Sequence, residues 1–400
     1  MASEIVQWIA VGGKRKEVKG KNRARHAMKL VNILNLPHEE MQESLRKAAV
    51  TDGFLSPAFR RKIWPRLLRV EVDDSWTSSS LVKRDHREKK QVELDVVRSM
   101  LYTDMRKRTR EHRLAELSTV IDTILATNPD LHYYQGFNDV CSVAILVMGS
   151  DSTALPVAER LAKYHFREAM NKSMFAVQQA LHLLMNIIKR RDRKLYECLS
   201  ECEVDPIFAL SWILTWFAHD LKSLDKIERL YDFFLASHPL MSLYFSASLL
   251  CWQRQQLLPS KGDYSMIHSV MQTLPSDLPL EQLIHDAHRM FQTIPPDSVL
   301  AGASLECQRV FTSQSMWIAY PYRFADDTRA VQEQRPSTWK LVRRFVRGSW
   351  PLSSMHMLSS LWTRGSLAAA VAIVVKQLPW IIRSLSKEEA GWGGHTVGVL

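Results

Sequence analysis

Three short segments of this sequence hold the side chains best suited to chemistry. Val92-Glu93-Leu94-Asp95-Val96-Val97-Arg98 sets a carboxylate and a guanidinium three residues apart, which makes them neighbours on one helical face. Tyr133-Tyr134-Gln135-Gly136-Phe137-Asn138-Asp139 puts a glutamine and a glycine at a helix–loop junction after Pro129. Arg60-Arg61-Lys62-Ile63-Trp64-Pro65 ends an early helix that follows Gly53 and Pro57. Taken singly, each has an ordinary explanation. An Asp and Arg at this spacing form a surface ion pair worth roughly 0.2–0.5 kcal/mol, and Tyr-Tyr-Gln-Gly reads as a helix start packing its aromatic rings.

Most self-contained enzyme chemistry is excluded. No G-x-x-x-x-G-K-[ST] occurs, and Gly12-Gly13-Lys14 lacks both the preceding spacing and the following hydroxyl, so the chain is not expected to bind nucleotide alone. H-E-x-x-H, the G-x-S-x-G elbow and C-x-x-C are missing as well. His285, Asp286 and His288 fall within one helical turn but read as an amphipathic surface helix, so no metal site is expected. The five cysteines, Cys141, Cys198, Cys202, Cys251 and Cys307, are odd in number and scattered through apolar stretches, as reduced cytosolic thiols are. A net charge of +11 favours anionic partners. The basic runs at 14–25 and 189–194 carry no interleaved aromatic platform, and nucleic acid is not an expected partner.

The elements that must position these segments read as helices. Only 14 of 400 residues are glycine, too few for the turns of a many-stranded fold. From residue 36 to 300 apolar residues recur at three and four, predicting helices over 57–69, 88–101, 112–127, 154–170, 174–189, 207–221, 225–236, 240–256 and 280–292. The uncharged stretches Ile207–Ala218 and Pro239–Gln253 are shorter than the roughly 20 residues that span a bilayer and are read as central core helices. The expected fold is therefore all-α.

The flanks differ from this domain. Residues 1–35 are expected to be a basic flexible N-terminus, since 14–25 hold seven Lys or Arg in twelve positions; this reads first as a solvated tail, with nuclear targeting or membrane contact as alternatives. Residues 301–338, punctuated by Pro321 and Pro336, read as a linker. Over 339–350, Lys340, Arg343, Arg344 and Arg347 face one way and Leu341, Val342, Phe345 and Val346 the other, a basic amphipathic helix suited to an anionic leaflet. Residues 357–382 are a candidate membrane anchor, spanning or inserted from one side, with a helix packed on protein as the alternative; 383–400 read as a flexible C-terminus.

Read together, V-x-x-D-x-x-R with Y-x-Q-G, Gln135 lying thirty-seven positions after Arg98, resembles the two signature motifs of the TBC-domain Rab GTPase-activating proteins. The Arg60–Pro65 segment, Trp212 with Trp216 and Phe217, and Arg229-Leu230-Tyr231-Asp232-Phe233-Phe234 follow in the same order, so the resemblance covers about residues 36–300. Val92 stands where the family usually has isoleucine, a mild departure. The resemblance implies a multi-helix TBC domain. It implies an activator whose Arg98 and Gln135 act in trans on a GTP-bound Rab, the arginine stabilising charge on the γ-phosphate and the glutamine orienting water. Asp95, Tyr133, Gly136, Asp139, Arg61 and Trp64 are the implied supporting residues. Magnesium and GTP would come with the partner, so no cofactor of the chain's own is expected. The stretches at 129–140, 207–219 and 229–241 carry a closer likeness within the family, which implies an anchor in the endoplasmic reticulum, on the cytoplasmic face, and a Rab of the early secretory pathway. A non-catalytic helical adaptor and a membrane scaffold are the rival readings.

Overall fold

A computed structural model describes residues 14–70, 85–100, 105–311 and 315–317. Among the described residues every regular element is helical. In chain order they are α1 (Lys14–Leu34), α2 (His38–Thr51), α3 (Pro57–Leu67), α4 (Lys89–Val97), α5 (Lys107–Thr127), α6 (Phe137–Met148), α7 (Asp151–Arg160), α8 (Phe175–Arg191) and α9 (Arg193–Glu201). They continue with α10 (Leu210–Thr215), α11 (Leu224–Leu235), α12 (Met241–Trp252), α13 (Arg254–Leu257), α14 (Tyr264–Gln272), α15 (Leu280–Thr293), α16 (Pro296–Ala301) and α17 (Leu305–Val310).

Two helices act as hubs because their sequences are apolar on every side. In α12 all positions from Met241 to Leu250 are buried, and α8 and α15 pack along it. The partner α15 is amphipathic instead: Leu280, Leu283, Ile284, Ala287 and Met290 form the one stripe that faces the core. Each large apolar side chain on that stripe contributes about 1.5–3 kcal/mol on burial. The second hub, α6, buries every residue except Leu146 and is surrounded by α3, α4, α5, α7, α10 and α11.

A buried carboxylate ties α11 to α3 and to the turn that precedes it. Asp232 of α11, fully buried, accepts from Arg60 Nε at 2.9 Å, Trp64 Nε1 at 2.8 Å and the Phe54 backbone N–H at 2.9 Å, while Glu228 pairs with the other side of the Arg60 guanidinium. Burial opposes the Arg60 charge, yet Asp232 and Glu228 outweigh it and raise its pKa, so the guanidinium stays charged. Removing one partner of such a cluster costs about 3–5 kcal/mol, because the remaining charge is stranded.

Several expectations change. The supposedly flexible basic N-terminus is helix over Lys14–Leu34, and its far end docks: Leu30 and Ile33, three apart, are buried, and His26 Nε2 lies 2.9 Å from the Gly53 carbonyl. Two anchored turns at one end let the helix propagate back from them. The predicted linker from 301 includes packed residues within 301–311 and 315–317; Cys307, Phe311 and Trp317 are buried, with the two rings stacked at 5.0 Å. The helix foreseen at 207–221 breaks at Trp216 and Phe217, whose φ values of 48° and 65° are left-handed. The one foreseen at 88–101 ends at Val97, with Arg98 as its C-cap. Among the described residues no helix is long and apolar enough to cross a membrane. The amphipathic segment 339–350, the candidate anchor 357–382 and the end 383–400 lie outside the described residues.

Candidate functional site

At the end of α4 the helix stops, and Arg98 takes φ −92° and ψ 0°, turning its side chain out with 64% of it exposed. Its Nη2 donates to Asp95 Oδ1 at 2.7 Å and its Nε to the Leu94 carbonyl at 3.3 Å. The ion pair itself is worth little, on the order of 0.5 kcal/mol for so exposed a cation. What matters is direction. Asp95 is buried, and its second oxygen is claimed by Tyr133 Oη at 3.0 Å and Gln91 Nε2 at 3.1 Å, so the carboxylate cannot swing and the guanidinium is held from a fixed point. The exposed side chains of Leu94 and Val97 make an apolar rim beside it.

The loop before α6 supplies the second exposed group. Tyr134 is buried and donates its hydroxyl to the Leu214 carbonyl at 2.8 Å, and Tyr133 is pinned to Asp95. Between these anchors and α6 sits Gln135, exposed, with no hydrogen-bond partner for its carboxamide among the described residues. Gly136 then caps α6 at φ 113°, in the left-handed region that glycine adopts without penalty. A Cβ there would also stand 2.9 Å from the Thr215 methyl. The left-handed turn at Trp216 and Phe217, closed by a Tyr231 hydroxyl bond to the Thr215 carbonyl at 2.9 Å, carries that methyl to the loop. Core aromatic residues thus shape the loop from behind.

Burial first, and Asp95 second, push the Tyr133 hydroxyl well above the usual phenol range, so it stays a proton donor. Asp139 does not reach Tyr133; it pairs with His219 Nδ1 at 3.1 Å, and that bond is the main cause of a raised His219 pKa. Asp139 therefore ties the loop to the 215–220 turn.

The structure brings Arg98, Asp95, Tyr133, Gln135, Gly136 and Asp139 to one region. It does not bring Arg61 or Trp64 there. Arg61 Nε donates to the Val147 carbonyl at 2.9 Å, at the far end of α6, about 18 Å along the helix from Gly136. Trp64 is fully buried, stacked on Tyr231 at 5.9 Å and bonded to Asp232. Both positions support the fold rather than the exposed pair. Two residues escaped the sequence reading. Asn138, inside the second motif, is buried, accepts from the Gly136 N–H at 3.0 Å and donates to Ser99 Oγ at 2.9 Å. Ser99 directly follows Arg98 and donates to the Asp95 carbonyl at 3.0 Å. Asn138 could have been singled out as a polar residue in the first turn of an otherwise apolar helix; nothing local in the sequence points to Ser99 as its partner.

Chemically, the region offers a positive planar donor, tethered by two bonds and otherwise exposed, and an exposed neutral amide, both on a rigid mount. It contains no nucleophile paired with a base, and among the described residues no cluster of metal-ligating side chains. Such a site fits an anion carried by something else.

Residues 57–258 match the Rab-GTPase-TBC domain family. The sequence is 35% identical over 336 residues to bovine TBC1 domain family member 20, spanning 82% of this chain and 81% of that protein. It is 32% identical over 257 residues to the Schizosaccharomyces pombe GTPase-activating protein gyp10, covering 62% of this chain and 67% of the relative. The crystal structure of the Ypt/Rab-GAP domain of Gyp1p superposes with a TM-score of 0.55, over 68% of this chain and 98% of that domain, at 16% identity, which is a likeness of fold.

Proposed function

Since the chain belongs to the Rab-GTPase-TBC domain family, we propose that it accelerates GTP hydrolysis by a Rab-type small GTPase, using Arg98 and Gln135 in trans. The observation that carries this reading is the Asp95–Tyr133 hydrogen bond. It couples the segment bearing one exposed functional group to the segment bearing the other, and both groups stay exposed where a partner can meet them.

A small GTPase hydrolyses GTP slowly because charge spreads over the γ-phosphoryl oxygens and the attacking water is loosely held. The Arg98 guanidinium enters that field, and its planar fork meets two oxygens at once, a geometry lysine lacks. Asp95 keeps the fork aimed before the partner arrives, so little entropy is lost on docking. The Gln135 carboxamide offers a carbonyl to accept from the water and an N–H₂ to donate to the phosphoryl group. Gly136, without a Cβ, allows close approach at the loop. Once a partner covers them, the exposed Leu94 and Val97 shed water beside the guanidinium, which strengthens its electrostatic effect. Magnesium and nucleotide are contributed by the GTPase; the chain supplies orientation and charge.

The test is a single-turnover phosphate-release assay against a panel of GTP-loaded Rabs, first with the wild-type chain, then with Arg98→Ala and Gln135→Ala. Loss of stimulation in both, with unchanged circular dichroism, is the expected result; full stimulation in either removes that residue from the mechanism, and tight binding without stimulation by the wild type would make the chain an adaptor instead. The basic and apolar patterns of 339–382 support attachment to the cytoplasmic face of an internal membrane, which we propose to be the endoplasmic reticulum. Flotation of the full chain beside one lacking 336–400 tests that part separately.

A further inference from the structure

We infer that Asn138 is the positioning residue that sets the register between the arginine and glutamine segments, acting through two arms, Ser99 and Tyr133. The inference rests on the proposed activity and names what makes the pair of groups a single rigid device.

The argument is one of closure. From Asn138 Nδ2 a hydrogen bond runs to Ser99 Oγ at 2.9 Å, and Ser99 in turn donates to the Asp95 carbonyl at 3.0 Å. From Asn138 Oδ1 the other arm runs to the Tyr133 hydroxyl at 3.1 Å, which lies 3.0 Å from Asp95 Oδ2. Both arms leave the same carboxamide and both end on Asp95, the residue that holds the Arg98 guanidinium at 2.7 Å. A single contact between two segments is a hinge, about which either can rotate. Two contacts from one planar amide to the backbone and the side chain of one residue remove that rotation.

The orientation of the amide is determined by its surroundings. The Gly136 N–H at 3.0 Å demands an acceptor, which assigns the oxygen to that side and the N–H₂ to Ser99. Through Gly136 the same oxygen also holds the residue that follows Gln135. One side chain therefore touches the glutamine loop and both arms of the arginine segment. Asn138 is 7% exposed and Ser99 1%, so neither is placed to touch a partner, and their effect must pass through Arg98 and Gln135. The Tyr133 hydroxyl carries one proton for two acceptors, Asp95 and Asn138, and so makes the softer arm. Misplacement of reacting groups by about 1 Å can cost on the order of 10²-fold in rate, which sets the scale of what the ring protects.

The experiment compares Ser99→Ala, Tyr133→Phe, their double variant and Asn138→Ala, with Arg98→Ala alongside, on a GTP-loaded Rab that the wild-type chain stimulates. Expected is a fall of about 10-fold or less in the maximal single-turnover rate for each single-arm variant. The double variant and Asn138→Ala should each fall by about 10²-fold or more, with the concentration giving half-maximal rate shifted less than about threefold. The double variant must lose more than the product of its singles. A second readout separates positioning from mere folding: affinity for the Rab loaded with GDP and aluminium fluoride should fall in the double variant and in Asn138→Ala, while affinity for the Rab loaded with a non-hydrolysable GTP analogue holds. If Asn138→Ala fails to fold, the Ser99→Ala/Tyr133→Phe pair decides. The inference is overturned if arm losses simply multiply, or if both affinities fall together. An Arg98→Ala variant that still stimulates fully would instead sink the proposed function; one that is inactive while Asn138→Ala keeps the wild-type rate sinks only this inference.

Discussion

The two ends of α6 are built alike and used differently. Each is closed by a glycine in the left-handed region, Gly136 at φ 113° and Gly149 at 97°; Gly149 lies against Arg61, and the Gly136 end is joined to the Arg98 segment through Asn138 and Ser99. At the Gly149 end the arginines are spent on capping: Arg61 Nε bonds the Val147 carbonyl, and Arg113 Nη1 bonds the Gly149 carbonyl at 2.7 Å. Those carbonyls are among the ones an α-helix cannot satisfy internally. At the Gly136 end the unsatisfied groups are N–H donors, which Asn138 and local turns meet and which a guanidinium, itself only a donor, cannot serve. The comparison teaches that a helix C-terminus consumes the guanidinium groups beside it on its open carbonyls, whereas an N-terminus, offering only N–H donors, makes no such demand.

The sharpest way to break that contrast is to remove the free arginine. Arg98→Ala is expected to lower stimulated GTP hydrolysis by about 10³-fold or more while the melting temperature holds, measured by phosphate release and thermal unfolding. Arg98→Lys is expected to lose most of the same stimulation, since a point charge replaces a fork; equal rates for the two would refute the geometry argument. Next comes Gly136→Ala. A Cβ meets both an unfavourable φ and the Thr215 methyl at 2.9 Å, so we expect roughly 2–3 kcal/mol of lost stability together with a depressed rate, read from denaturant unfolding and the same assay.

At the other end, Arg61→Ala should cost only about 1 kcal/mol, read as a lower unfolding midpoint, with the rate per folded molecule unchanged. A fall in rate without a fall in stability would place Arg61 at the functional end after all. The smallest effect concerns His219. Its folded pKa lies above the ordinary value of about 6.5, chiefly through the bond to Asp139, so its stabilisation is complete below about pH 6.5 and fades as pH rises through the folded value. His219→Gln should flatten that part of the stability–pH profile; an unchanged profile would mean the pair is not formed in solution.

Much of this was legible in the residues themselves. The spacing of Asp95 and Arg98 implied the ion pair now seen, and the glycine after Gln135 marked the helix–loop junction at which α6 begins. Apolar runs such as Met241–Leu250 announced a hub helix because no face was left polar. What stayed hidden depends on contacts between distant segments. Arg60 and Arg61 are adjacent and identical in type, yet one is buried against Asp232 and the other caps α6, a difference decided by partners 172 and 86 residues away. Ser99 is an unremarkable hydroxyl until Asn138 arrives beside it. The helix at Lys14–Leu34 looked like a solvated tail because its charge pattern is visible locally, whereas the pockets that receive Leu30 and Ile33 are not.

The carboxylate of Asp232 also sets an order for biosynthesis. The amide of Phe54 that it binds leaves the ribosome 178 residues before it does, an interval of roughly 10–35 s at ordinary translation speeds. Throughout that time Trp64 and the Arg60 guanidinium have no place to go, so the nascent amino-terminal third is a natural client for chaperones. A chain arrested before residue 232 should remain protease-sensitive however many of its helices have already emerged.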